Sequence, residues 1–356
     1  MRFRAAAFGV LLLPAVLPVA LGGCATSFGY LWKQGGHLFR DTCGARSIAA
    51  VLRDPATAAD TRSFLRDVEG IRDFAVGRIG LKRTRDYTRF KKLDRDHLVD
   101  VVQACEALSF RTYLWRYPVL GRLPYRGFYE RRDAEDEAER LKAQGYDVIV
   151  RPVDAFSTLG FLGNPVFSFM ERYSVFELSS TIIHEMTHAT VFLKGEARFN
   201  EELATFVGEE GALEYVASRF GRDSEEHGNA VSEQADSALF LGFLKGLTEE
   251  LRALYEGPLP REEKLAEKKR IIARHQQIYA ADYLPRFHDP AYRKTADLPI
   301  NNAYLSLYDL YTEDLPLLRD YFVRVCGSSL RDFLVQVKSL SKGGGVAEKM
   351  RRELRN

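Results

Sequence analysis

The chain has little cysteine, 4 in 356 residues, and almost no surplus of charge, since 51 Lys and Arg stand against 49 Asp and Glu. Its cysteines, Cys24, Cys43, Cys105 and Cys326, are too widely separated for zinc-finger or CxxC spacing, which excludes a cysteine metal cluster and a dithiol redox pair. The near-neutral balance gives no electrostatic case for a nucleic-acid partner. Internal repeats and low-complexity tracts are missing, so repeat architectures are excluded as well. Long apolar runs are also scarce. The one near the N-terminus is broken by Pro14 and Pro18 and falls short of the about 20 apolar residues that a membrane span needs.

That stretch, "MRFRAAAFGVLLLPAVLPVALGGC", has a basic start at Arg2 and Arg4, an apolar middle and small residues at its end, the layout of a secretory signal over residues 1–23. Its last four residues, Leu21 to Cys24, resemble the bacterial lipobox, in which the cut falls before the cysteine and the thiol is acylated. The expectation is a protein anchored by lipid at Cys24 to the extracytoplasmic, periplasmic side of a bacterial membrane, without spanning it. Ala25, rather than Asp, after that cysteine fits sorting to the outer membrane. Removing residues 1–23 takes two arginines and no acids, leaving a formally neutral chain long enough to bury a large core. In an oxidising compartment, Cys43, Cys105 and Cys326 allow one disulfide and one free thiol.

Beyond the anchor, residues 24–356 read as one domain of the α+β class, predominantly helical. From Arg46 to about Phe110 the pattern is helical; Phe64, Leu65, Val68, Ile71, Phe74 and Ile79 fall at helix-like spacings among charges, so 24–110 is expected as a helical N-terminal part. Residues 111–170 are aromatic and β-branched, with Pro and Gly punctuation, and predict strands on either side of a charged helix, "RRDAEDEAERLKAQG". Two further helices follow over 171–222. A helical C-terminal lobe covers 223–356, including a long charged pair at roughly 231–255 and 261–280 turned at "EGPLP".

The helices of 171–222 carry the chemistry. In "HEMTH", His184 and His188 are four residues apart, so on a helix both imidazoles point from one face towards one ion. Glu185, rotated by about 100° from its neighbour, sits beside that ion, where a general base for an activated water belongs. Phe176, Ile182, Ile183, Met186, Val191 and Phe192 make the helix a buried one, and two histidines and a glutamate are costly to bury without partners. Val191 and Lys194 occupy the positions where the metzincin extension requires Gly and His, which excludes that class. The third ligand is then sought on the next helix. "FNEELATFVGEEG" supplies Asn200 as a candidate N-cap and four glutamates, Glu201, Glu202, Glu209 and Glu210. Glu201 shares a face with Ala204, Thr205 and Gly208, small residues that permit close approach to the first helix. It is the favoured ligand, with Glu202 and Glu209 as alternatives, Glu209 also as an acceptor that could orient a ligand histidine. Two His and one Glu suit zinc, one ion per chain, with cobalt and manganese as other candidates.

At these residues the chain resembles the bacterial zinc aminopeptidase family of secreted or lipid-anchored proteins, within the gluzincin group. "HEMTH", "FNEELATFV", "FGYLWKQGGHLF", "PYRGFYE", "GYDVIVRPVDAFSTLGFLGNPVFS", "NNAYLSLYDLY" and "GSSLRDFLVQVKSL" carry the likeness over most of the mature chain. The resemblance implies a zincin-like fold, peptidase chemistry, and Glu201 as the third ligand. The chain departs from the pattern at Arg116 and Arg122, where cysteines are expected, so any family disulfide between them is absent here. It departs again at Thr205, where thermolysin-like relatives have Asp.

The implied reaction is hydrolysis of a peptide bond with Glu185 as general base, passing its proton to the leaving amine. Gluzincins commonly add a Tyr or His donor for the oxyanion; Tyr311 is the first candidate, then Tyr308, then His227. "DAFSTLGF", Asp154 to Phe161, reads as an edge strand whose central residues Ser157, Thr158, Leu159 and Gly160 would pair with the peptide substrate. Arg126 either meets a substrate carboxylate or braces the fold. Exo- and endo-cleavage both remain open. A catalytically silent lipoprotein that binds an envelope partner is the competing class, against which the intact Glu185 argues.

Overall fold

The computed structural model describes residues 44–117, 121–153, 163–297, 299–308, 314–342 and 344–355, and over them the chain is mostly helical with small sheets. Cys24 and residues 1–23, Cys43, the stretch with Ser157, Thr158, Leu159 and Gly160, and Tyr311 lie outside these residues. The chain divides into two compact units, each drawing on separated stretches. One holds residues 44–66 with Thr84–Arg172; the other holds Asp67–Arg83 with Tyr173–Asn356. Sequence order alone carries no record of which distant stretches pack together.

The first unit opens with strand β1 (Arg46–Ser47) and helix α1 (Ile48–Arg53), capped by Ser47, whose hydroxyl accepts from the Ala50 amide at 3.2 Å. Helix α2 (Ala59–Phe74) follows, its second half counted in the other unit. Strands β2 (Arg89–Lys91), β3 (Val99–Glu106), β4 (Trp115–Tyr117), β5 (Gly121–Leu123) and β6 (Arg126–Phe128) come next, then helix α3 (Arg131–Ala143) and strands β7 (Tyr146–Val153) and β8 (Val166–Phe167). β3 is the centre of an antiparallel sheet ordered β6-β3-β7, and β2 joins β1 antiparallel and β8 parallel in a second. The helical reading of residues 46–110 is corrected here, because 99–106 is a strand. β3 is buried along nearly its whole length, so it lacks the alternation that distinguishes a half-exposed strand from a helix.

α3 lays Ala134, Ala138 and Leu141 against Val102, Ala104, Phe128 and Val148 of that sheet, and Trp115 completes the cluster. Arg116 and Arg122 face each other across the β4–β5 hairpin, two like charges in directly opposed positions. Packing offsets that repulsion. The Trp115 indole N–H donates to buried Glu137 at 2.7 Å, and the ring meets Tyr113 edge-on with centroids 4.8 Å apart.

In the second unit α2 runs into a π turn over Ala75–Ile79. Helices α4 (Val175–Thr190), α5 (Ala197–Phe220), α6 (Glu225–Glu256) and α7 (Arg261–Ile278) follow, then α8 (Asn302–Leu305), α9 (Leu315–Arg324), α10 (Leu330–Leu340) and α11 (Val346–Glu353). α6 and α7 are the long charged pair that the sequence predicts, joined at residues 257–260. Phe243 of α6 meets Tyr279, in the π turn just after α7, with ring centroids 4.8 Å apart. Cys105 and Cys326 are buried, one in each unit, and among the described residues neither is joined in a disulfide. Among the described residues no helix is long and apolar enough to cross a membrane.

Candidate metal centre

Helix α4 begins at Ser174, whose hydroxyl accepts from the Glu177 amide at 3.0 Å. Phe176, Ile182, Ile183 and Met186 are no more than 2% exposed, so the helix is a core element on nearly every side. Its hydroxyls are satisfied along its own backbone: Thr187 donates to the Ile183 carbonyl at 2.8 Å and Thr181 to that of Glu177 at 2.8 Å. β-Branched Val191 then takes an extended conformation and ends the helix, and Gly195, with φ +85°, supplies the left-handed turn before α5.

α5 returns close against α4 because glycines line the contact. A Cβ built on Gly208 would lie 2.8 Å from the Ser180 carbonyl oxygen and 3.2 Å from the His184 Cβ. One built on Gly211 would lie 2.8 Å from Ile79 Cδ1 and 3.1 Å from Ile183 Cδ1. Only the absence of side chains at these positions allows the two backbones so near each other.

The approach brings three side chains to one point. His184 Nε2 and His188 Nε2 are 3.1 Å apart, and Glu201 places Oε1 3.5 Å from His188 Nε2 and Oε2 3.7 Å from His184 Nε2. Four ligands around an ion with bonds of about 2.0–2.1 Å lie about 3.3 Å from one another, close to this spacing. Glu201 Oε2 is buried and has no hydrogen-bond partner, an acceptor in need of a cation. The donor set therefore fits a metal ion, and among the described residues His184, His188 and Glu201 form the group that could hold one. Glu185, next to His184 and 5% exposed, belongs to the same buried turn.

The electrostatics couple these groups. Burial pushes the Glu201 carboxyl up, but the two imidazoles beside it outweigh that and bring it down to about 2. For His188, burial favours the neutral ring, yet the bond to Glu201 and the charges of Glu185 and Glu201 outweigh it and raise its pKa. Without metal, the ionised glutamate favours a proton on His188. A metal must displace that proton, so loading weakens as pH falls through the histidine range.

The other glutamates of α5 have different work. Glu202 is fully buried and accepts from the Asp314 amide at 2.6 Å, and Asp314 in turn accepts from Arg351 at 2.7 Å. Burial, together with the Asp314 charge, pushes the Glu202 carboxyl up to about 7 against that amide bond. Glu210 accepts from Gln234 at 3.1 Å and Arg319 at 2.8 Å. Glu209, half-buried on the same helix, is not in the convergent group.

Asn200 is not the N-cap that the sequence suggests. The helix starts at Ala197 with Glu196 at the cap, so Asn200 lies inside the first turn, and its amide reaches back to the backbone of Leu193. The pattern of a capping residue before a helix is ambiguous by a few positions, and here the turn at Gly195 let the helix begin early.

Of the residues considered for the oxyanion, Tyr308 packs against Phe240 and Tyr304 with centroids at 5.9 and 5.4 Å, an aromatic core role. His227 is in the first turn of α6, where its amide donates to Ser224. Arg126 braces its sheet: it lies 3.6 Å from buried Glu137 and stacks over Phe128.

Two consecutive helices bring two His and one Glu to a point where they could hold a metal ion, with Glu185 next to the first of these histidines in the sequence. A family model described as "Putative aminopeptidase" matches residues 29–353, and the chain belongs to that family. Neither the curated proteins nor the solved structures contain a match to it.

Proposed function

We propose that the protein is a zinc-dependent aminopeptidase of gluzincin type, with a zincin-like fold, tethered by lipid at Cys24 to the extracytoplasmic side of a bacterial membrane. The convergence of His184, His188 and Glu201 within 4.8 Å of one another carries this reading. Family membership supports the peptidase part. Zinc is the metal that two imidazoles and one carboxylate at this spacing suit best. Bound there, the ion would supply a water acidified towards neutrality and a Lewis acid for the scissile carbonyl.

The chain's own residues supply the rest. His184 and His188 present Nε2, and Glu201 brings the negative charge that holds a dication against its loss of hydration. Glu185, one residue beyond His184, takes the proton of the attacking water and delivers it to the departing amine, so the carboxyl is restored at the end of each cycle. His184 and Glu185 are buried, and the lower polarity around them strengthens these interactions. Tyr311 is our candidate for the donor to the oxyanion, and the stretch with Ser157, Thr158, Leu159 and Gly160 for the strand that pairs with the peptide.

Paired peptides test the activity. A library with free α-amino groups should be shortened from the N-terminus by the zinc-loaded protein, while N-acetylated counterparts stay intact, as mass spectrometry would report. Internal cleavage of both sets would make the protein an endopeptidase. No cleavage of either, with zinc bound, would leave the binding lipoprotein.

A further inference from the structure

We propose that Asn200 is a positioning residue for the metal site, setting where Glu201 stands relative to the two histidines; the inference rests on the metal reading given above. His188 closes one end of a link and Glu201 the other, and between them the chain leaves α4, turns at Gly195 and enters α5. Residues in such a turn have no helical partner for their backbone groups, so its shape is set by whatever else those groups bond to.

At Leu193 the Asn200 amide bonds both backbone groups, and the carbonyl also accepts from the Glu196 N–H at 3.2 Å. The Leu193 N–H donates to Asn200 Oδ1 at 2.9 Å, and Asn200 Nδ2 donates to the Leu193 carbonyl at 2.8 Å. Both residues are buried, 4% exposed at Asn200 and 7% at Leu193, so water does not substitute for either bond. The pairing needs one donor and one acceptor on a short, planar side chain, which asparagine provides and aspartate, alanine and serine do not reproduce. Two parallel bonds fix direction as well as distance. They hold the exit of the histidine helix against the residue that immediately precedes the ligand glutamate. On the other flank, fully buried Glu202 fastens the same turn to the Asp314 amide at 2.6 Å. Glu201 is thus held between two buried anchors, and the 3.5 Å approach of its Oε1 to His188 follows from both.

The conservative variant Asn200→Asp keeps shape and acceptor, loses the donor, and is expected to fold; Asn200→Ala removes both bonds. Zinc affinity of the full chain is measured by competition with a chelator, and the fold of the metal-free protein by circular dichroism. Asn302→Asp is the control. Asn302 is fully buried in the same unit, accepts from the Tyr255 hydroxyl at 2.7 Å and is not in the convergent group, so it reports general destabilisation. We expect zinc affinity to fall by about 10- to 100-fold in Asn200→Asp, the range typical of groups that orient ligands, and to stay within about twofold in Asn302→Asp. Should Asn200→Ala fail to fold, the aspartate variant decides alone. Wild-type affinity in Asn200→Asp, or an equal loss in Asn302→Asp, overturns the positioning role while the metal reading stands. A wild-type chain that takes up no zinc overturns the metal reading itself, and this inference with it.

Discussion

Glu185→Gln is expected to retain one zinc per chain and to lose peptide hydrolysis by about 10²–10⁴-fold, the usual range for removal of a general base. The substitution keeps the volume and the hydrogen-bonding shape of the side chain, so the buried turn of α4 should be undisturbed. What it removes is the ability to accept a proton. Because Glu185 is not one of the three convergent ligands, metal content and activity are expected to part company in this variant. The check is elemental analysis beside the rate on a free-amine peptide. Unchanged activity in a zinc-loaded Glu185→Gln would remove Glu185 from the mechanism. Loss of zinc as well would make it a ligand or a structural residue.

The second large effect belongs to a residue with no side chain. Gly208→Ala would place a methyl carbon 2.8 Å from the Ser180 carbonyl oxygen and 3.2 Å from the Cβ of His184. The first of these is backbone, which cannot swing aside, so α4 and α5 must separate. Overpacking of this kind costs about 1–3 kcal/mol of stability. It should also cost metal affinity, because the separation moves Glu201 away from His184 and His188. Thermal unfolding of metal-free and zinc-loaded protein would show both losses, with the stabilisation conferred by zinc reduced in the variant. Gly242→Ala, where a new Cβ meets nothing within 4 Å, serves as the control and should leave the metal effect unchanged.

These two residues also show how far the sequence could be read. The spacing of His184, Glu185 and His188 fixes a helical face in any fold that makes the helix, because geometry four residues apart is local. Choosing Glu201 among four glutamates needed a packing argument, and small residues at Ala204, Thr205 and Gly208 supplied it; the structure places Gly208 directly against His184. The role of Asn200 was not legible. A polar residue before a run of glutamates looks like a cap, and only the position of Leu193 in space reveals the clamp. The bond from Glu202 to Asp314 spans more than a hundred residues and leaves no local pattern at all.

The fold was legible to the same extent, and for the same reason. The paired helices α6 and α7, and the charged helix α3 between strands, follow from periodicity and turn residues. Strand β3 did not, since a run buried on both faces carries no alternation to distinguish it from a helix. The return of Asp67–Arg83 to the unit that carries the metal ligands is a long-range choice made by packing, such as Ile79 against Gly211.

The central claim is that His184, His188 and Glu201 hold one metal ion. Its most direct test is the zinc content of the purified protein, measured by elemental analysis beside His188→Ala and Glu201→Ala. The account predicts about one zinc per chain in the wild type and near none in either variant, since two remaining ligands bind a labile ion too weakly to survive purification. A wild type that stays metal-free after incubation with zinc, or a Glu201→Ala protein that keeps its full complement, would contradict it.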